Sequence, residues 1–143
     1  MKEISEKQLQ DVARRFNVQE LYVFGSRANE IAERLLNGMA CSVYPESDVD
    51  IAVRAKAGVT LGPAERVQLA LGIEDILEVS RVDLVILQEA DPFLALEIMR
   101  GELLYAEDLN EQARYELYVL GRAGDLHFFK EERIRMIMEE GAR

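Results

Sequence analysis

The sequence predicts a single α/β domain with a helical C-terminal tail. Apolar residues alternate along the chain between helical spacing and short strand-like runs, glycine, proline or capping residues mark most of the changes, and the final segment is helical in period. At 143 residues, about half of them apolar, the chain can bury one core and has no room for a second full domain. The expected division is 1–107 for the α/β domain and 108–143 for a helical extension packed on it.

Each element has its own local reason. Ser5 can cap a first helix, with Gln8 returning in a capping box and Leu9, Val12, Ala13 and Phe16 on one face, ending near Asn17. Glu20 to Ser26 reads as a strand that stops at Gly25, and a short helix from Asn29 closes at Gly38. A loop containing Cys41 leads to a strand from Asp48 to Arg54, then a turn region to Pro63 at the first position of a helix. Leu69, Ala70, Ile73, Ile76 and Leu77 form that helix's apolar stripe. Arg81 to Leu87 is a third strand, Pro92 opens and Gly101 closes another helix, and ELLYA adds a short strand. From Asp108 the chain reads as helical with an interruption around Gly121 to Gly124, and Ile134, Ile137 and Met138 are expected to dock on the chain's own domain.

Charge and composition exclude several functions. Seventeen basic against 27 acidic residues give a net charge of −10, which repels a phosphate backbone, so direct nucleic-acid binding is not expected. Cys41 is the only cysteine, which leaves no disulfide framework and no thiolate zinc cluster and fits a reducing, cytoplasmic setting. No apolar run reaches bilayer length and the N-terminus lacks a signal core, so no membrane role is expected. His127, the sole histidine, and Tyr105, Tyr115 and Tyr118 are expected to pack or sit at the surface.

The chemistry concentrates around YPESDVDIAV. On a strand, Asp48 and Asp50 project from one face with Cα atoms about 6.6 Å apart. Two carboxylates converging to about 4 Å repel by roughly 1 kcal/mol in water and about 4 kcal/mol at an effective dielectric near 20. A divalent cation reverses that sign, and magnesium commonly binds one or two carboxylates together with substrate phosphates. The same residues also fit a plain strand entrance, with Asp48 capping a turn and Asp50 solvated. Upstream, VFGSRA places Gly25 and Ser26 where a strand meets a helix, a junction whose free N–H groups can receive phosphate, with Arg27 adding positive charge. The alternative there is Ser26 as an ordinary helix cap. Asp83, inside an apolar strand, is costly unless it binds metal or pairs with Arg81 two residues earlier.

Gly25-Ser26-Arg27-Ala28, followed by Ser47-Asp48-Val49-Asp50-Ile51 and a third aspartate on a later strand, resembles the minimal nucleotidyltransferase (MNT) family of the DNA polymerase beta-like superfamily, over Glu20 to Leu87. Two departures are a longer segment between Ser26 and Asp48 and Asn29 where a basic residue is frequent. The resemblance implies a small mixed β-sheet flanked by helices. It implies Gly25, Ser26 and Arg27 on the triphosphate of ATP, and Asp48, Asp50 and Asp83 as catalytic residues and ligands to two Mg2+ ions, with Asp83 also able to accept the attacking hydroxyl's proton. It further implies transfer of AMP to a hydroxyl of a partner protein, as the antitoxin of a HEPN-type toxin. A non-catalytic antitoxin and a small-molecule, aminoglycoside-type nucleotidyltransferase are the alternatives, and homo- or hetero-oligomerisation stays open.

Overall fold

The computed structural model describes residues 2–37 and 48–141, so Gly38, Cys41 and Ser47 lie outside the described residues. The first helix, α1 (Lys2–Arg15), buries Leu9 and Ala13 in one core, joined by Phe16 just after it. Its backbone is helical from Lys2, so Ser5 lies within the helix and does not start it. A capping residue contributes only about 1 kcal/mol, and Lys2, Glu3 and Ile4 offer no glycine or proline to break the preceding turn. Asn17, at φ 57°, takes the left-handed conformation that ends the helix.

The strands are β1 (Val18–Phe24), β2 (Val49–Ala55), β3 (Val82–Ile86) and β4 (Glu102–Ala106), in the spatial order β3-β2-β1-β4. β1 runs antiparallel to both neighbours, whereas β2 and β3 are parallel, so the sheet is mixed. Parallel neighbours need a long crossover, supplied by α3 (Pro63–Leu77), which opens at Pro63 as its sequence predicts. A bulge between Val18 and Glu20 lets Val18 and Leu21 enter the same core despite their spacing of three.

Alternation along the strands builds two layers. Leu21, Val23, Val49, Ile51, Val53, Val82 and Ile86 meet Leu69, Ile73 and Leu77 of α3, the apolar side of α1, and Ile31 of α2 (Ala28–Asn37). On the other face Tyr22, Ala52 and Leu87 meet Ala95 and Ile98 of α4 (Pro92–Met99) and Val119 of α5 (Leu109–Gly141). Asp91 caps α4 by accepting from the backbone N–H groups of Phe93 and Leu94, each at 2.9 Å. No helix among the described residues is long and apolar enough to cross a membrane.

The tail departs from expectation twice. α5 is one continuous helix through Gly121 and Gly124, and Ile134, Ile137 and Met138 stand 49%, 59% and 70% exposed rather than docked. Tyr115, Val119 and Ala123 hold the helix on the molecule around the glycines, and this packing outweighs two local penalties of about 1 kcal/mol each. A Cβ at either glycine would meet nothing within 4 Å. Gly121→Ala and Gly124→Ala are therefore each expected to stabilise the protein by about 0.5–1 kcal/mol in urea unfolding; a loss of stability would show that α5 bends there in solution.

Candidate active site

The sheet brings together at one end residues that are far apart in sequence. Phe24, the last residue of β1, is the register partner of Asp50, and Asp50 on β2 is the register partner of Asp83 on β3. Directly paired residues project from the same face, so Asp50 and Asp83 stand side by side at the start of two parallel strands. Asp48 precedes β2 by one residue and is exposed. The two helical layers explain why this end is left for chemistry: α4 and α5 cover Tyr22, Ala52 and Leu87, while Asp83 stays exposed.

Gly25 turns the chain away from the sheet. Its φ is +80°, and a Cβ there would stand 2.4 Å from Oδ2 of Asp50. Glycine is thus required twice, by backbone conformation and by the closeness of the carboxylate. The turn closes with the N–H of Ala28 donating to the Gly25 carbonyl at 3.3 Å, and α2 begins at once. Gly25 and Ser26 are exposed, in the position where a helix N-terminus offers free N–H groups to an anion. Arg27 lies behind them, 4% exposed, and its guanidinium forks onto Glu30 with two 3.1 Å bonds. Glu30 offsets its charge, and the fork fixes the first turn of α2.

Electrostatics single out Asp50. Burial, then the negative charges of Asp83 and Asp48, raise the Asp50 carboxyl above the usual carboxylate range. Arg81 does not relieve it. Its guanidinium stands 3.9 Å from Asp48 in an exposed pair, and among the described residues Asp83 has no ion pair, so the Arg81–Asp83 alternative does not form. The described residues contain no group of three acids, histidines or cysteines able to hold a metal ion unaided. Two adjacent carboxylates beside an anion-receiving turn instead fit a divalent cation that arrives with phosphate oxygens and completes its coordination with them. Asp50 and Asp83 supply those two carboxylates, and Asp48 stands exposed one residue before β2.

The other polar candidates have structural partners. Arg54 lies over the Tyr115 ring at 4.4 Å, Tyr118 is 5.6 Å from Tyr115, and Tyr105 hydrogen-bonds Glu107. His127 lies on α5, with its side chain outside the described residues. From the sequence, Asp83 had two readings, a metal ligand or a partner of Arg81, and Gly101 had only the role of closing a helix. The register of β3 on β2 and the approach of Gly101 to β1 supply what a single strand's pattern lacks.

The family model described as Polymerase beta, Nucleotidyltransferase matches residues 7–110. A search of curated proteins by sequence finds no match. Among solved structures, a chain of a toxin-antitoxin complex with AMP-PNP superposes with a TM-score of 0.59 at 25% identity, covering 94% of this chain and 96% of that one. A chain from a tri-AMPylated Shewanella oneidensis HEPN toxin in complex with its MNT antitoxin gives a TM-score of 0.58 at 25% identity, covering 97% and 98%. The MntA–HepT toxin-antitoxin structure, at 24% identity and a TM-score of 0.57 over 96% and 97%, shares the fold.

Proposed function

The chain belongs to the polymerase beta nucleotidyltransferase family, and from that membership we propose that it transfers AMP from Mg-ATP to a hydroxyl of a HEPN-type toxin, for which it is the antitoxin. The observation that carries the reading is the pairing of Asp50 with Asp83 beside the Gly25 turn. The near full-length likeness to a chain of the complex with a tri-AMPylated toxin supports a protein acceptor. A net charge of −10 suits a basic partner.

In this reading the N–H groups of Gly25 and Ser26 and the Ser26 hydroxyl hold the triphosphate, with Arg27 behind them. Asp48, Asp50 and Asp83 would hold the magnesium, as one ion or two; when bound it would neutralise phosphate charge and favour loss of the acceptor hydroxyl's proton. Asp83 accepts the proton of the acceptor hydroxyl. The acceptor oxygen forms a bond to the α-phosphorus as the bond to the bridging oxygen breaks, and pyrophosphate leaves with the electron pair. Because the carboxylates and the turn are fixed by the sheet, little reorganisation is needed as charge moves.

The position of the label tests this. Incubated with Mg2+ and the HEPN-type partner, ATP labelled at the α-phosphate is expected to mark the partner, and ATP labelled at the γ-phosphate is not. Transfer of γ-label would reveal a kinase and overturn the mechanism. Formation of a tight complex with no label from either position would leave only the masking role of an antitoxin.

A further inference from the structure

Phe24 occupies a position between two elements. On one edge of β1 its register partner is Asp50; on the other edge β4 pairs only as far as Val23, opposite Glu102. Beyond that last pair stands Gly101, the residue joining α4 to β4. A Cβ on Gly101 would lie 2.3 Å from the carbonyl oxygen of Val23 and 2.9 Å from both Cα and Cβ of Phe24. Two of those three atoms are backbone and cannot rotate aside. The left-handed φ values among the described glycines belong to Gly25 and Gly58, so Gly101 has a conformation open to other residues. Space, rather than backbone conformation, requires glycine here.

We propose that Gly101 is a positioning residue for the nucleotide phosphates: its bare Cα seats the α4–β4 connection on the end of β1 and so fixes the direction in which Gly25 and Ser26 leave the sheet. This rests on the function proposed above and assigns that site a supporting part. The end of β1 is held between Asp50 on one side and Gly101 on the other, and the next residue, Gly25, is already in contact range of the Asp50 carboxylate. Little slack remains, so displacement at Val23 and Phe24 passes to the turn. Gly101 is itself anchored, its N–H donating to the carbonyl of Ile98, a fully buried residue of α4, at 3.0 Å.

The test compares Gly101→Ala with Ile98→Val, a packing change in α4 that removes a methyl group and places no new atom against Val23 or Phe24. Both are expected to lower the melting temperature. Only Gly101→Ala is expected to weaken Mg-ATP binding several-fold by calorimetry and to slow AMP transfer at saturating ATP by about 10²-fold, the cost of displacing reacting atoms by roughly 1 Å. Unchanged Mg-ATP affinity and kcat in a folded Gly101→Ala protein would overturn the proposal. Should that variant not fold, Arg100→Gly loosens the same connection without adding a Cβ at 101: weaker Mg-ATP binding supports the positioning role, and wild-type binding rejects it. If the wild-type protein itself fails to bind Mg-ATP, the functional reading fails instead.

Discussion

Asp50→Asn is expected to reduce AMP transfer by about 10²–10³-fold or more while raising the melting temperature of the metal-free protein at neutral pH. The two effects have one cause. Burial and the charges of Asp83 and Asp48 raise the Asp50 carboxyl in the folded protein, whereas in the unfolded chain it titrates near its ordinary value of about 3.9. The folded state therefore holds the proton more tightly. The stability that this group contributes is fully present below the unfolded value and is lost as pH rises through the raised folded value. At neutral pH ionised Asp50 opposes folding, and asparagine, of nearly the same shape, does not.

Binding reverses the sign. Wild-type protein is expected to gain thermal stability with Mg-ATP, because ligand that binds only the folded state stabilises it by mass action; Asp50→Asn is expected to lose most of that gain. Asp83→Asn should keep more of the nucleotide-induced shift and still lose transfer, because a proton acceptor acts in the transition state. Thermal scans with and without Mg-ATP, from pH 4 to pH 8, read all of these. An Asp50→Asn protein that transfers AMP normally and shows the wild-type ligand shift would remove Asp50 from the site.

Breaking the Glu20–Arg54 pair is expected to cost about 3–5 kcal/mol, a large share of the roughly 5–15 kcal/mol that holds a typical domain folded. Glu20 is 0% exposed and Arg54 14% exposed in their side chains, and the guanidinium forks onto the carboxylate at 2.5 and 2.6 Å. Arg54 also lies over Tyr115, so the pair helps fasten α5 to the sheet. Burial raises the Glu20 carboxyl and Arg54 pulls it back down. In Arg54→Ala the burial effect is left unopposed, so that variant should recover stability on acidification and lose it as pH rises through the raised Glu20 value.

Glu20→Leu combined with Arg54→Met is expected to restore most of the stability, since well-packed apolar groups replace a buried pair at little cost. Urea unfolding of the two single variants and the double variant forms the necessary cycle. Single variants costing less than about 1 kcal/mol would show that water reaches the pair and screens it.

Most of the elements and the candidate chemistry are legible in local pattern alone. Local periodicity marks Leu69, Ile73 and Leu77 as one helix face and Asp50 to Arg54 as a strand, because a side chain's direction depends on its own few backbone dihedrals. Gly25-Ser26 and Asp48-Val49-Asp50 are legible for the same reason, each being a contiguous stretch whose residue types suit phosphate and metal. Ser5 and the Gly121–Gly124 interruption misled because a cap or a helical glycine is worth only about 1 kcal/mol, and the surrounding chain decided otherwise.

Tertiary structure alone decided what stands beside what. Asp83 meets Asp50 because the α3 crossover returns the chain parallel to β2 in one particular register, and a shift of a single residue would turn Asp83 to the opposite face. Arg81 then reaches Asp48 instead of Asp83. Glu20 finds Arg54 across 34 residues of sequence, and Gly101 reaches Phe24 across 77 (101 − 24). Such contacts depend on strand order, register and the closure of long loops, which are set by how the whole core packs and leave no period in any one segment.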